Sequence, residues 1–234
     1  MAPLVALPAP RGWGYDPRPM PRPSAPSFPS LPDAPSSPVG STRVARWATA
    51  SGLAFESHPD EAWFRRWEPH ETLAPPSFYL NSCTFMTPMG HVVLVEPWYA
   101  AAGEEPLERT VLAFAVVPAL PHVEGRVAAR VGEHFLTRVA FLESVPLPEV
   151  RLGDPVWDAH VKTFATSEGE ARAAFHPRLR KLLSSWGFTG HMEMRPGGLI
   201  VHYAGLQPTP EGYDRLLRIT REILAKATAP YPER

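Results

Sequence analysis

The chain has 234 residues, a formal net charge of −1 and 44% hydrophobic residues. That length buries one sizeable core or two small ones, and the near-neutral total argues against a dedicated nucleic-acid binder, which carries a basic excess. Cys83 is the only cysteine, so no internal disulfide forms and the fold does not depend on an oxidising compartment.

No apolar run reaches the roughly 18 residues that would predict a membrane span. No cationic start followed by an apolar block marks a secretory leader. The expected location is the cytoplasm. The charge is uneven: residues 41–150 carry 8 Lys+Arg against 13 Asp+Glu, and residues 151–234 carry 12 against 9. The two halves are thus able to attract each other, or the acidic half to face a basic partner.

Residues 1–40 hold twelve of the thirty prolines. Pro23, Pro26, Pro29, Pro32, Pro35 and Pro38 recur every third residue, which lines one edge of a polyproline II helix. No apolar period builds a core there, so this segment is expected to be a disordered proline-rich tail. It serves either as a spacer or as a docking segment for a groove on another protein. Trp13, Tyr15 and Phe28 are unusual in an inert tail.

Residues 41–150 read as an α+β sheet domain. Ser41-Thr42 caps a short helix ending at Gly52. A brief strand follows at 53–56, and Ser57-His58-Pro59-Asp60 opens a second helix bearing Trp63, Phe64 and Trp67. These three aromatics bury much area as core, with a stacking platform as the alternative. Phe78–Met86 and His91–Val95 form a hairpin around Thr87-Pro88-Met89-Gly90. Ala101–Glu108 make a loop with three acids, Glu104, Glu105 and Glu108. Thr110–Val117 is apolar throughout and is expected to be central in a sheet. Further strands are expected over 123–135 and 138–145.

Residues 151–234 read as a strand–broken helix–hairpin–helix block, packed on the sheet or continuing it. Val156–Phe164 favours a strand. Ser167 and Glu170 make a capping box. Pro177 interrupts the following run and is placed in the first turn of a second short helix. A Gly197-Gly198 turn makes a hairpin that sets Glu193 opposite His202. Met192, Met194, Leu199, Val201 and Tyr203 then face the core, while His191, Glu193, Arg195, Ile200 and His202 share the solvated face. Thr209-Pro210 starts the last helix, whose inward stripe runs from Tyr213 to Ala227.

Four groups are candidates for chemistry. His191, Glu193 and His202 within cross-strand reach could hold a divalent metal for hydrolysis. Cys83 with His91 would be a nucleophile and base. Asp154, Asp158 and His160 would be an acid–base group. Arg172, Arg178, Arg180 and Lys181 would form a basic surface for phosphates or an acidic protein. Each also reads as ordinary structure: a Glu–His or Glu–Arg pair, a core cysteine, a turn into a strand, a solvated helix face. No phosphate-cradling loop, dinucleotide fingerprint, zincin helix or Gly-x-Ser-x-Gly element occurs, and no cofactor is implied.

Trp157-Asp158, Phe164, Glu170-Ala171, Pro177, Leu179, Leu182-Leu183 and Gly198-Leu199-Ile200-Val201 together resemble the closing block of a broad group of uncharacterised bacterial proteins. The resemblance covers the last eighty or so residues and, more loosely, Gly52 to Gly153. It implies a proline-interrupted helix followed by a hairpin, and it brings no activity with it. Some members carry membrane helices where this chain has its proline tail.

The expected architecture is α+β, a mainly antiparallel sheet with helices on one face. The expected function is a cytoplasmic interaction or scaffold protein without catalytic activity, meeting another protein through residues 1–40. The alternatives are a metal-assisted hydrolase on the His191/Glu193/His202 face and a nucleic-acid-associated module.

Overall fold

The computed structural model describes residues 36–71, 73, 75–88, 90–99, 109–118, 120, 123–132 and 147–228. The expected tail up to residue 35, the acidic loop at 101–108 and the strand at 138–145 lie outside the described residues. In chain order the elements are α1 (Ser41–Ala50), β1 (Ala54–Glu56), α2 (Glu61–Arg65), β2 (Phe78–Thr87), β3 (Gly90–Trp98), β4 (Leu112–Val116) and β5 (Val127–Val131). There follow β6 (Glu149–Val150), α3 (Pro155–His160), β7 (Val161–Phe164), α4 (Glu168–Ala174), α5 (Pro177–Ser185), β8 (Gly190–Arg195), β9 (Gly198–Tyr203) and α6 (Pro210–Ala227).

The fold is α+β. Its strands make one nine-stranded sheet in the order β1-β2-β3-β4-β9-β8-β5-β7-β6, and every ladder is antiparallel. The β8–β9 hairpin therefore sits between β4 and β5, in the middle of the sheet. The boundary drawn at 150/151 falls inside this sheet, because strands from both sides of it interleave. β4, near-continuous in apolar residues, lies fourth of nine with Leu112, Ala113, Phe114 and Ala115 fully buried, as its composition demands.

Local signals set the helix starts. Asp60 accepts from Ala62 N at 3.0 Å, Ser167 from Glu170 N at 3.2 Å and Thr209 from Gly212 N at 3.2 Å, each satisfying an amide that the first turn leaves unpaired. Pro177 opens α5 rather than bending one long helix, since its ring tolerates only the first turn. The Glu170 carboxylate leaves the capping box and accepts from Gly125 N at 2.6 Å, tying α4 to the approach to β5.

Two expectations about local structure are corrected. Val156–Phe164 is not one strand: Pro155–His160 is helical and only Val161–Phe164 is extended. Asp154 caps Trp157 N at 3.3 Å, and Asp158 accepts from the amides of Leu152, Gly153 and Asp154 at 3.0, 2.9 and 3.1 Å. These bonds outweigh the β-branched composition. The hairpin turn is Pro196-Gly197, so His202 lies opposite His191 and Glu193 opposite Ile200. This pairing differs from the expected one by two residues, which leaves every side chain on its assigned face.

One face of the sheet meets α1, α3, α4, α5 and α6 in a large core that includes Val92, Ala113, Trp157, Phe175, Leu183, Met192 and Leu216. The other face is covered as well. α2 and the segment after it lay Phe64, Leu73 and the half-buried Trp63 and Trp67 over Tyr79, Val93, Leu112, Phe114 and Ile200. Arg65 fixes this covering segment by donating to Glu61, Glu68, Pro76 O and Ser77 O at 2.7 to 2.9 Å. The hairpin face expected to meet solvent is therefore internal.

At the β2–β3 end a polar hub replaces apolar packing. Asn81 stands at the irregularity in the β2 register with φ of 53°, a conformation asparagine tolerates better than most side chains. Its Nδ2 donates to Ser41 Oγ at 2.8 Å and to Glu96 Oε2 at 3.0 Å, and its carbonyl accepts from the Tyr213 hydroxyl at 2.8 Å. Arg109 closes the hub by gripping both oxygens of the buried Glu96 and Val39 O at 2.8 Å.

At Gly198 the covering segment lies directly against the sheet. A Cβ built there collides with the Trp67 ring and with the Ala115 carbonyl. The Gly198→Ala variant is expected to lose about 1–3 kcal/mol, the scale of overpacking in a filled core, read as a lowered urea midpoint at unchanged slope.

Candidate functional site

The richest cluster of ionisable groups lies between the sheet and its aromatic cover. Reading across the ladders, Ala128, Glu193, Ile200 and Phe114 form one row, and Arg130, His191, His202 and Leu112 the next. The small side chain of Ala128 leaves room beside Glu193. His191, Glu193 and His202 are all fully buried.

Glu193 collects donors from three segments. Oε1 accepts from Arg195 Nε at 2.5 Å and faces Arg126 Nε at 3.9 Å. Oε2 accepts from Glu71 N at 2.8 Å and lies 3.5 Å from His191 Nε2. Glu71 in turn accepts from Leu147 N at 2.6 Å and from Arg126 Nη1 at 3.3 Å. Arg195 also donates to Pro69 O at 2.6 Å. Two arginines thus balance two carboxylates, and the set pins residues 69–71 onto β8 and onto the approach to β5.

Their partners, not burial, separate the two carboxyls. Burial raises both, and at Glu71 it prevails, so that carboxyl lies above its usual range. At Glu193 burial acts in the same direction, but the hydrogen bond and charge of His191 and the charge of Arg195 outweigh it and hold the group at about 2. A buried carboxylate with these partners is ionised and structural, because removing its counter-charges would strand it in a low-dielectric site.

The remaining candidates also resolve into structure. His202 meets Thr110 Oγ1 at 3.2 Å, and Thr110 donates on to Leu206 O at 3.2 Å. Among the described residues no group of three or more His, Cys, Asp and Glu is placed to hold a metal ion. Cys83 is buried and paired with Leu94 in the ladder, whereas His91 lies opposite Met86. Burial pushes the Cys83 thiol up to about 12, which disfavours the thiolate a nucleophile needs.

Asp154 and Asp158 are held by the turn into α3, as described above. Trp63, Phe64 and Trp67 pack on Phe114 at ring separations of 5.9, 5.3 and 5.7 Å, with Phe64 stacked on Tyr79 at 4.5 Å, so the aromatic cluster is core. The basic group divides. Arg172 donates to Glu168 and to Leu152 O at 2.9 and 3.2 Å. Arg180 donates to Asp154 and to Phe175 O at 2.9 and 2.6 Å. Arg180 is half-buried, whereas Arg172, Arg178 and Lys181 are exposed.

The accessible concave surfaces lie elsewhere. A groove of about 460 Å³ runs between Phe85, Met86 and Pro88 of the β2–β3 tip and Arg218, Arg221 and Leu224 of α6. A second, of about 260 Å³, lies across α6 against Trp186, Tyr203, Arg215 and Ile219. A third, of about 420 Å³, is bordered by Val131, Val156, Trp157, Leu183 and Phe188. The apolar periodicity of α6 marks only its inward stripe and does not reveal the α6 grooves. The signal was present as arginines at 215, 218 and 221.

His70 supplies the pH dependence of this region. Its ring is fully buried against Phe114, with no hydrogen-bond partner on either nitrogen among the described residues. Burial lowers its pKa from 6.5 to about 3. The unfolded chain therefore takes up a proton near 6.5 that the folded chain refuses, and stability falls as pH drops from about 6.5 toward 3. His70→Phe is expected to remove roughly 1 kcal/mol of this loss per pH unit. Urea midpoints of both proteins at about pH 7.5 and about pH 5.5 read the difference. Glu68 and Glu71, whose burial-raised carboxyls act in the opposite sense, are common to both and cancel.

No family model matches the sequence, and no curated protein matches it. The structure is similar to the crystal structure of the mycobacterial trehalose monomycolate transport factor A, TtfA, with a TM-score of 0.52 and 13% sequence identity, over 82% of this chain and 98% of that one. At that identity the likeness speaks for the fold. Among the described residues no helix is long and apolar enough to cross a membrane.

Proposed function

We propose that the chain is a non-catalytic accessory protein that acts by binding another protein. The observation that carries this reading is the separation of chemistry from access. Glu71, Glu193, His70, His191 and Cys83 are sealed beneath the two coverings of the sheet. The grooves that open outward are lined by arginine, aromatic and aliphatic side chains, the residue types that anchor protein interfaces. The fold likeness to a transport factor is compatible with an accessory role.

The proline-rich segment is assigned a docking role of its own, since its threefold proline spacing suits an aromatic-lined groove on a partner. Ala34–Arg234 cluster as one unit, and Ser41 and Val39 accept from Asn81 of β2 and from Arg109 while Ser41 holds the Pro38 carbonyl, so the informative truncation removes residues 1–33. Affinity purification with the full chain is expected to recover a protein partner that the truncated chain retains about tenfold less well by titration. Equal affinity of both forms would reduce the segment to a spacer. A full chain that recovers no partner would remove the interaction reading.

A further inference from the structure

The outward face of α6 carries a built feature that the core does not need. Arg215, Arg218 and Arg221 are exposed and follow one another at three-residue intervals. Each step advances about 4.5 Å along the axis and turns the side chain by about 60°. The three guanidinium groups therefore form a row that drifts across the helix, from the Tyr203 side to the Phe85 side.

The ends of the row are held by rings. Arg215 lies over Tyr203 at 5.5 Å, and Arg221 over Phe85 at 5.2 Å. Neither guanidinium has an ion-pair partner among the described residues. Arg218 at the centre is paired with Asp214 at 3.0 Å. A guanidinium stacked on an aromatic face keeps its in-plane N–H donors outward and loses little further freedom on meeting a carboxylate. Glu222 is the acid that lines both grooves, so the lining still carries a cationic excess.

Apolar surface flanks the row on both sides. Met86 is 71% exposed at the hairpin tip and shares its groove with Phe85 and Leu224. Trp186 and Ile219 line the groove on the other flank. Apolar troughs beside fixed cations fit a ligand with alternating apolar and anionic faces. A flat bilayer would not fill two concave troughs, and nucleic acid would leave the aliphatic walls unmatched.

We infer that the α6 ridge with the β2–β3 tip is the docking site for an acidic amphipathic segment of a partner protein, its carboxylates on Arg215 and Arg221 and its apolar side chains in the flanking grooves. This rests on the interaction reading above and names the chemistry of the partner.

The test uses the full chain and a fluorescein-labelled synthetic helical peptide with leucine on one face and glutamate on both flanks. A control peptide carries glutamine in place of glutamate. Vesicles of phosphatidylglycerol supply a separate arm. The glutamate peptide is expected to bind with an affinity that falls with salt. Glutamine in place of the peptide's glutamate, and the R215E/R221E and Met86→Ser changes in the chain, the two variants keeping the unfolding midpoint of the parent, are each expected to weaken binding about tenfold. Equal binding of the two peptides, or binding indifferent to R215E/R221E, overturns the assignment. Phosphatidylglycerol binding that R215E/R221E abolishes, with no peptide binding, overturns it in favour of a membrane surface. A partner recovered from cells that binds R215E/R221E as well as the parent also sinks this assignment while leaving the interaction reading in place.

Discussion

A charge buried in the middle of a sheet governs this molecule. Glu193 sits on β8, which is flanked by β9 and β5, and has no route to solvent. An ionised group there is tolerable only where donors surround it. β8 itself supplies two, His191 and Arg195. The third comes from the backbone of Glu71, which requires residues 69–71 to cross the sheet at one position. Closing the second face of the sheet and satisfying this carboxylate are thus one structural event. The aromatic cluster supplies the buried area of that closure, and Glu193 supplies its register.

The hub at the other end of the sheet follows the same logic with different parts. Glu96 is sealed on β3, Arg109 and Asn81 converge on it from two further segments, and Asn81 also donates to Ser41 of α1. Tyr213 then ties α6 to the Asn81 carbonyl. Both hubs join pieces of chain that are remote in sequence. A buried polar network permits only the arrangement that satisfies all its members, whereas apolar contacts tolerate sliding. Between the hubs the apolar rows of β3, β4 and β9 need no such control.

Much of the fold was legible because its signals are local. The caps at Ser167 and Thr209, the proline that opens α5 and the inward stripe of α6 are read within one turn of chain. The hairpin faces were assigned correctly even though the turn sits at Pro196-Gly197, because strand periodicity survives a two-residue change of register. What stayed hidden depends on distant partners. Nothing near Glu193 announces that Glu71 will cover it. Nothing in Val156–Phe164 announces that Asp158 will gather three amides and make its first part helical. For the same reason the His191/Glu193/His202 face, read as exposed, is internal. A sheet covered on one face and a sheet covered on both differ in a segment more than a hundred residues away.

That difference reorders where function can reside. Polar residues on a solvated sheet face are natural candidates for ligands or catalysis. The same residues under a lid are claimed by folding, since Glu193 already accepts from Arg195 and from the Glu71 amide and His202 already meets Thr110. α6 shows the converse. Its buried positions, Tyr213, Leu216, Leu217, Thr220, Ile223 and Leu224, are determined by the sheet beneath. Its outward arginines are not, and two of them spend their aromatic contacts on orientation rather than on core packing. A surface cation used only for solubility has no need of a ring to hold it. Guanidinium groups fixed in a row beside open apolar grooves have already lost part of the freedom that binding would remove, and in this molecule that preorganisation is found on α6 and not at the buried carboxylates.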